Sequence, residues 1–321
     1  MAVRLRELIF LLAVLCGING YSQIIDNTST FKNSSDKYIR FHYDNDYFTK
    51  TDDYYTQGMS LEYVHPGLQK FPLTRLLYKP KESHYKYGIS FDHYAYTPTT
   101  IRSDDILYGN RPFCASISFK TFLIATNEQK RQRIATTVIV GLMGPGAGGK
   151  EMQTTIHRWL GAITPHGWQH QVRNDVIADY QVNYEKQVLS HKNSILVNAV
   201  GKARIGLHQD NLKGGFNFMV GRFDDPYALQ GKNKKLRCYL YGQLVAGVTG
   251  YDATLQGGLF NRKSPYIISS NDMTRLTLQG DYGIVVRFSS MYLEYCQSFI
   301  TKEFNTGHLH RWGGIRIGVG L

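Results

Sequence analysis

The chain has 321 residues, 42% hydrophobic and 13% aromatic, with 23 Tyr, 16 Phe and only 19% charged residues. This composition excludes a disordered chain, a collagen and a disulfide mini-scaffold. Leu8–Ile18 is the one long apolar run and is too short to span a bilayer, which excludes a bundle of membrane helices, while the formal charge of +12 points to an anionic partner such as nucleic acid, phosphorylated glycolipid or acidic lipid.

In chain order, Arg4 and Arg6 precede that apolar run and Gly20-Tyr21-Ser22 follows it as small-x-small. Residues 1–22 therefore read as an export signal, and 23–321 as a single domain. Loss of Arg4, Arg6 and Glu7 with the signal leaves a net charge of +11. Cys114, Cys238 and Cys296 remain. An odd number is no disulfide framework, and they suit small positions in a wall.

From residue 38 onward, hydrophobicity alternates with period two. In one stretch Val176, Ala178, Tyr180, Val182, Tyr184 and Val188 share one parity, with Asp179, Gln181, Asn183, Glu185 and Gln187 on the other. After a turn at 190–193, Ile195, Val197, Ala199, Ala203, Ile205 and Leu207 oppose Ser194, Asn198, Lys202 and Arg204, with Leu196 and Val200 breaking the pattern. These runs exceed the ~5–6 residues of an ordinary soluble strand. Such segments recur at 38–46, 55–65, 86–94, 114–123, 134–143, 174–189, 193–208, 213–222, 236–249, 272–288, 290–302 and 309–320. Twelve of them predict an all-β chain, a closed antiparallel transmembrane β-barrel of about 12 strands with the polar parity inside and the apolar-aromatic parity toward lipid. The last carries Ile315, Ile317, Val319 and Leu321 on one face, as a closing strand should.

An even strand number puts both ends of the barrel chain on one side. The longer connections then gather at the other, at 46–54, 95–113, 144–173, 250–271 and 303–308, and the expected location is integral to the outer membrane with these loops outside. The connection 66–85 is long for the opposite side, and Pro66, Pro72 and Pro80 favour a rigid excursion there.

Three loop motifs carry chemistry. Asp44-Asn45-Asp46 ends the first strand segment, and Thr56 begins the second after Asp52-Asp53-Tyr54-Tyr55. A tight loop brings the oxygens of Asn45, Asp46 and Thr56 together, a donor set that suits Ca²⁺, although by spacing alone a solvated Asp- and Asn-rich turn is the commoner reading. Gly144-Pro145-Gly146-Ala147-Gly148-Gly149-Lys150-Glu151 has the G-x-x-x-x-G-K spacing of a phosphate loop. Glu151 stands where the magnesium-binding hydroxyl belongs, so nucleotide binding is not expected and the glycines are read as turning the chain into a helix. That helix is predicted over 150–162, with Met152, Ile156, Leu160 and Ile163 as an apolar stripe packing on the barrel and Gln153 and His157 at i, i+4 on an adjacent face. His157 is a candidate general base.

The pattern Asn45-Asp46, Tyr55-Thr56-x-Gly58, Gly144-Pro145-x-Ala147-Gly148-Gly149-x-Glu151-x-Gln153-x-x-x-His157-Arg158 and Trp168-Gln169-x-Gln171 resembles the outer-membrane lipid A 3′-O-deacylase family, of LpxR type. Thr254-Leu255-Gln256-Gly257 and Thr301-x-Glu303-Phe304-x-Thr306-Gly307 extend the resemblance over most of the chain. It implies a twelve-stranded barrel with a Ca²⁺-dependent esterase site at the outer leaflet. Asn45, Asp46 and Thr56 would build the metal-containing site, His157 would be the base, and Arg102 and Gln153 would contact substrate. The implied substrate is lipid A of lipopolysaccharide, with no role for nucleic acid or nucleotide. Where well-known members carry Lys-Arg in the second outer loop this chain reads Ile101-Arg102, and an acid expected six residues after the histidine reads Ile163. The alternatives are a non-enzymatic channel or surface-binding barrel, and a glycerophospholipid-cleaving phospholipase.

Overall fold

Alternation over ten or more residues commits each segment to a strand with one wet and one dry face, and a sheet of such strands is satisfied only when it closes. The computed structural model describes residues 27–32, 35–49, 53–192, 194–228 and 235–321. The expected export signal at 1–22 lies outside them. The strands are β1 (Tyr38–Asn45), β2 (Tyr55–Val64), β3 (His84–Tyr96), β4 (Cys114–Asn127), β5 (Gln132–Met143), β6 (Asp175–His191), β7 (Ile195–Gly206), β8 (Gln209–Arg222), β9 (Arg237–Asp252), β10 (Leu276–Phe288), β11 (Met291–Ile300) and β12 (His310–Gly320). Each pairs antiparallel with its chain neighbours, and β1 pairs with β12 from Tyr38↔Gly320 to Asn45↔Gly313, closing the barrel. The twelve strands correspond one for one to the alternating segments. β8 starts earlier than expected because Gln209-Asp210-Asn211 pairs with β9 without any apolar residue to mark its parity.

Parity sorts inside from outside. On β1, Tyr38, Arg40, His42 and Asp44 are buried while Ile39 and Phe41 are exposed. On β6, Asp175, Ile177, Asp179, Asn183 and Glu185 are buried and Val176 is exposed. Leu276 faces outward, as do Ile195, Val197 and Leu278, which are only partly covered. Leu196 and Val200, which break the alternation, are buried, Leu196 in an interior cluster with Met219, Tyr239 and Tyr241.

The lumen is filled with paired charge. Arg40 meets Glu62 at 2.8 Å, Arg316 meets Glu294 at 2.8 Å and Arg204 meets Asp179 at 2.5 Å. Tyr38 donates to Glu62 at 2.6 Å, and Tyr292 donates to Glu294, also at 2.6 Å. Buried ions persist only when partners replace the water they lose.

Residues 27–32 complete the filling. All six are buried. The Thr30 N–H donates to Glu185 at 2.9 Å, Asn183 donates to Thr28 Oγ1 at 2.7 Å, and Tyr239 donates to the Phe31 carbonyl at 2.8 Å. Phe31 stacks on Tyr241 with ring centroids 4.2 Å apart. The segment before β1 therefore threads into the bore and plugs the end where the barrel chain starts and finishes.

The long β2–β3 connection has a different use. Its 3₁₀ turns Pro66–Lys70 and Pro72–Leu76 fold back on the outer wall. Leu77 joins Leu123 and Val138 in an apolar cluster, and the Tyr78 N–H bonds to Tyr180 Oη at 3.1 Å. The free cysteines Cys114 and Cys296 are buried and Cys238 is exposed, all in strands.

Phe31→Ala removes a fully buried ring and is expected to cost about 3–5 kcal/mol of stability. The check is the urea midpoint of the detergent-solubilised barrel, and an unchanged midpoint would show that the plug contributes nothing to stability.

Candidate active site

The site begins with polar residues on the wrong parity. On β4, Ser116, Ser118 and Lys120 line an interior cavity with Tyr94 and Arg204, so Ala115, Ile117 and Phe119 point outward. On β3 the outward set is Phe91, His93 and Ala95. Phe91 is half exposed, yet His93 and Ala95 are buried. Something outside the barrel covers them.

A β-bulge adds to this patch. Tyr55 pairs with Tyr96 and Gln57 with Ala95, leaving Thr56 as the extra residue between them. Tyr55 turns inward and donates to Asp44 at 2.7 Å. Thr56 and Gln57 are both buried. Asn45, at the top of β1 on the outward parity of Ile39 and Phe41, donates its amide to the Thr56 carbonyl and accepts from the Tyr47 N–H at 2.7 Å. Asp46 is buried and opens a 3₁₀ turn, Asp46–Thr49, whose Thr49 hydroxyl bonds to the Asp46 carbonyl at 2.7 Å.

The cover is a helix, α1 (Gly149–Leu160), in the β5–β6 connection. Gly144 leaves β5 with φ 94°, and Gly148 and Gly161 bracket the helix at φ 73° and 64°, conformations that exclude most side chains. The glycine run therefore turns strand into helix as expected. Gly149 is required for another reason: a Cβ there would stand 2.5 Å from that of Ala115. Only glycine lets the helix lie this close to the wall.

Gln153 fastens it. Its Nε2 donates to Thr56 Oγ1 at 2.8 Å and its Oε1 accepts from the Trp168 indole N–H at 2.7 Å. Trp168 is buried with Ala95, Ile101, Phe113, Ala115 and Ala147. His93 Nε2 lies 3.0 Å from the Ala147 carbonyl and must donate to it. Asn45, Thr56 and Gln153 are thus linked directly, with Asp46 next in the chain. His157 lies one helical turn beyond Gln153, its Cβ about 5–6 Å away. Its Nδ1 is 2.6 Å from the Ile163 carbonyl. A carbonyl only accepts, so Nδ1 carries the hydrogen, and Nε2 of the neutral ring holds the lone pair.

Two expectations need correction. The stripe Met152, Ile156, Leu160 and Ile163 packs only in part: Met152 and Ile156 are half-buried, Leu160 is 75% and Ile163 46% exposed, and the fully buried helix residues are Gly149 and Gln153. Gly149 and Gln153 stand seven and three residues before Ile156, on the same side of the helix, so the helix meets the wall at its N-terminal end and its apolar face runs on beyond it. Gln153 does not face a substrate either, because it is buried with both ends of its amide bonded within the protein. It positions Thr56 and the helix.

Arg102 is exposed on the rim, while Ile101 beside it is buried in the Trp168 cluster and its carbonyl accepts from the His166 N–H at 2.8 Å. Asp104 ties this loop to the far end of the helical segment, accepting from Gln169 Nε2 at 3.2 Å and meeting His166 Nδ1 at 3.1 Å. These bonds, Gln169 first, hold the Asp104 carboxyl below its usual range, so the tie is present above the ordinary carboxylate pKa and weakens as pH falls through the lowered one.

As a metal site, the donors fit in kind. Asn45, Asp46 and Thr56 offer only oxygen, the preference of calcium, and among the described residues no group of three His, Cys, Asp or Glu side chains could hold a metal ion. Six to eight ligands would need backbone, water or substrate oxygens as well. Gln171, on the Trp168 segment, has a buried Oε1 with no hydrogen-bond partner, one further oxygen in this region. Sequence reading missed His93 and Gln57. Their signal is a polar residue on the outward parity, beside Phe91 and Met59.

The profile of a family described as "Outer membrane protein LpxR" matches residues 8–321. No curated protein matches the chain in sequence. Among solved structures, LpxR from Salmonella typhimurium superposes with a TM-score of 0.73 at 17% identity, covering 88% of this chain and 100% of that one, a likeness of fold. The β-domain of the Bordetella autotransporter BrkA gives a TM-score of 0.45 at 8% identity over 89% of this chain and 98% of its own, too weak to carry an argument.

Gln153→Ala strands the Trp168 indole N–H and frees the Thr56 hydroxyl, at an expected cost of about 1–3 kcal/mol. Trp168 emission should shift to the red and residues 144–173 should become protease-sensitive while β-sheet content is unchanged. Unaltered emission and protease resistance would show that this bridge does not hold the helix.

Proposed function

The chain belongs to the LpxR family of integral outer-membrane β-barrels, and from that premise we propose that it is a lipid A-directed ester hydrolase using a histidine-activated water. The observation that carries this reading is the fastening of α1 to the outward wall. There His157, its Nδ1 directed at the Ile163 carbonyl, lies one turn from the Gln153–Thr56 bond, on the surface that outer-leaflet lipids would touch.

His157 Nε2 takes a proton from water as the oxygen attacks the ester carbonyl of an acyl chain. The Ile163 carbonyl keeps the ring oriented and stabilises the imidazolium that forms. Collapse of the tetrahedral intermediate breaks the bond to the sugar oxygen, which receives the proton from His157. The products are a free fatty acid and a lipid A hydroxyl. No nucleophilic serine is needed. Asn45, Asp46 and Thr56 would hold a calcium ion, which when bound supplies Lewis-acid stabilisation of the developing oxyanion. Arg102 on the rim reaches toward the glucosamine phosphates as a bidentate donor.

The channel alternative is disfavoured by the bore, where ion pairs and residues 27–32 occupy the space a permeating solute would need.

His157→Ala is expected to lower deacylation about 10²–10⁴-fold while the barrel still assembles, and His157→Gln should not restore it, because an amide does not take up the proton. Mass spectrometry of lipid A, following loss of one acyl chain, is the measurement. Near-normal turnover in His157→Ala would reject the base assignment.

Exhaustive chelation with EGTA is expected to abolish the same activity and added calcium to restore it. Full activity after chelation would remove the metal from the reading.

A further inference from the structure

The apolar face of α1 runs on from Gly149 and Gln153, which meet the wall, into a C-terminal half that has no cover among the described residues. Ile156, Trp159, Leu160 and Ile163 follow at i, i+3, i+4 and i+7 and form one apolar stripe. Trp159 is 79% exposed and Leu160 75%. In water, leaving side chains of this size uncovered forfeits the gain of burying them.

The surroundings identify what covers the stripe. The helix packs on the outward wall, through Gly149 against Ala115 and the Ala147 carbonyl against His93. That wall continues downward with Phe91, 51% exposed, and sideways with Val140 and Val176. These are the lipid-facing residues of an outer-membrane barrel, and the helix that carries the stripe starts from the same outward wall. Arg158 and Lys150 are exposed on the other flank of the helix, the polar side. An aromatic at the end of an apolar face beside cations is the arrangement of a helix lying in a membrane interface.

The stripe also touches the candidate base. Ile163 belongs to it, and the Ile163 carbonyl is the group that orients His157. A chain lying along Trp159, Leu160 and Ile163 therefore runs past the imidazole. We propose that this stripe inserts into the outer leaflet and is the acyl-chain-binding surface of the site, its occupant being an acyl chain of the outer-leaflet glycolipid. Its role in binding substrate rests on the hydrolase reading, whereas its insertion into lipid does not.

The chain has three tryptophans, and Trp168 and Trp312 are 1% and 4% exposed. Trp159 is the exposed reporter. The full-length barrel in phosphatidylcholine vesicles with bromine on the acyl chains should lose a component of its emission that Trp159→Phe lacks, and acrylamide should quench that component little. Emission from Trp159 that acrylamide quenches freely and bromolipid does not would overturn the proposal. In the second arm, Trp159→Ser with Leu160→Ser should raise KM for lipid A about tenfold or more, with kcat changed less. An unchanged KM would overturn the acyl-binding role. Trp159 in lipid without wild-type deacylation would sink the hydrolase reading alone, and deacylation with Trp159 in water would sink the stripe alone.

Discussion

A polar group facing hydrocarbon must find a partner or be covered. Around that constraint this molecule is organised. Asn45, Thr56, Gln57 and His93 occupy outward positions where apolar residues stand elsewhere on the same strands. The Gln153 amide, bonded at one end to Thr56 and at the other to Trp168, closes a helix over them. Without that bridge, four polar side chains would face lipid. With it, Thr56, Gln57 and His93 are buried and the Thr56 hydroxyl and the His93 ring have partners on the helical segment.

The interior solves the opposite problem. A bore filled with Arg, Lys, Asp and Glu is stabilised by pairs such as Arg40–Glu62, Arg204–Asp179 and Arg316–Glu294, and by residues 27–32 buried among them. A rigid, filled interior leaves the outer face as the place for chemistry. It also gives β1, β2, β3 and β4 the fixed spacing on which the Asn45–Thr56–Gln153 links depend.

The two departures from the family pattern acquire physical meaning in the fold. Ile101, where a lysine is common, is buried against Trp168 and Phe113 and helps anchor the loop carrying Arg102. At Ile163, where an acid is common, the main chain supplies what the side chain lacks: its carbonyl takes the His157 Nδ1 hydrogen. A neutral carbonyl stabilises an imidazolium less than a carboxylate does, but it selects the same tautomer.

Strand number and the inside-outside parity followed from the sequence alone, because a two-residue period is a local property that a membrane wall enforces along each strand, whereas strand ends such as Gln209-Asp210-Asn211 carry no apolar residue to mark them. The glycine-bracketed helix was equally legible, since positive φ confines those sites to glycine. How far along its apolar face that helix packs was not. An amphipathic pattern marks an apolar stripe without saying where its cover ends, and Met152 and Ile156 are half-buried while Leu160 and Ile163 are exposed. The position of Gln153 behind the site, the outward polar patch of Gln57 and His93, and the carbonyl that fixes His157 were decided only by the tertiary structure. Each depends on strands and loops far apart in the chain being brought within hydrogen-bonding distance, and a backbone oxygen has no identity in sequence to read.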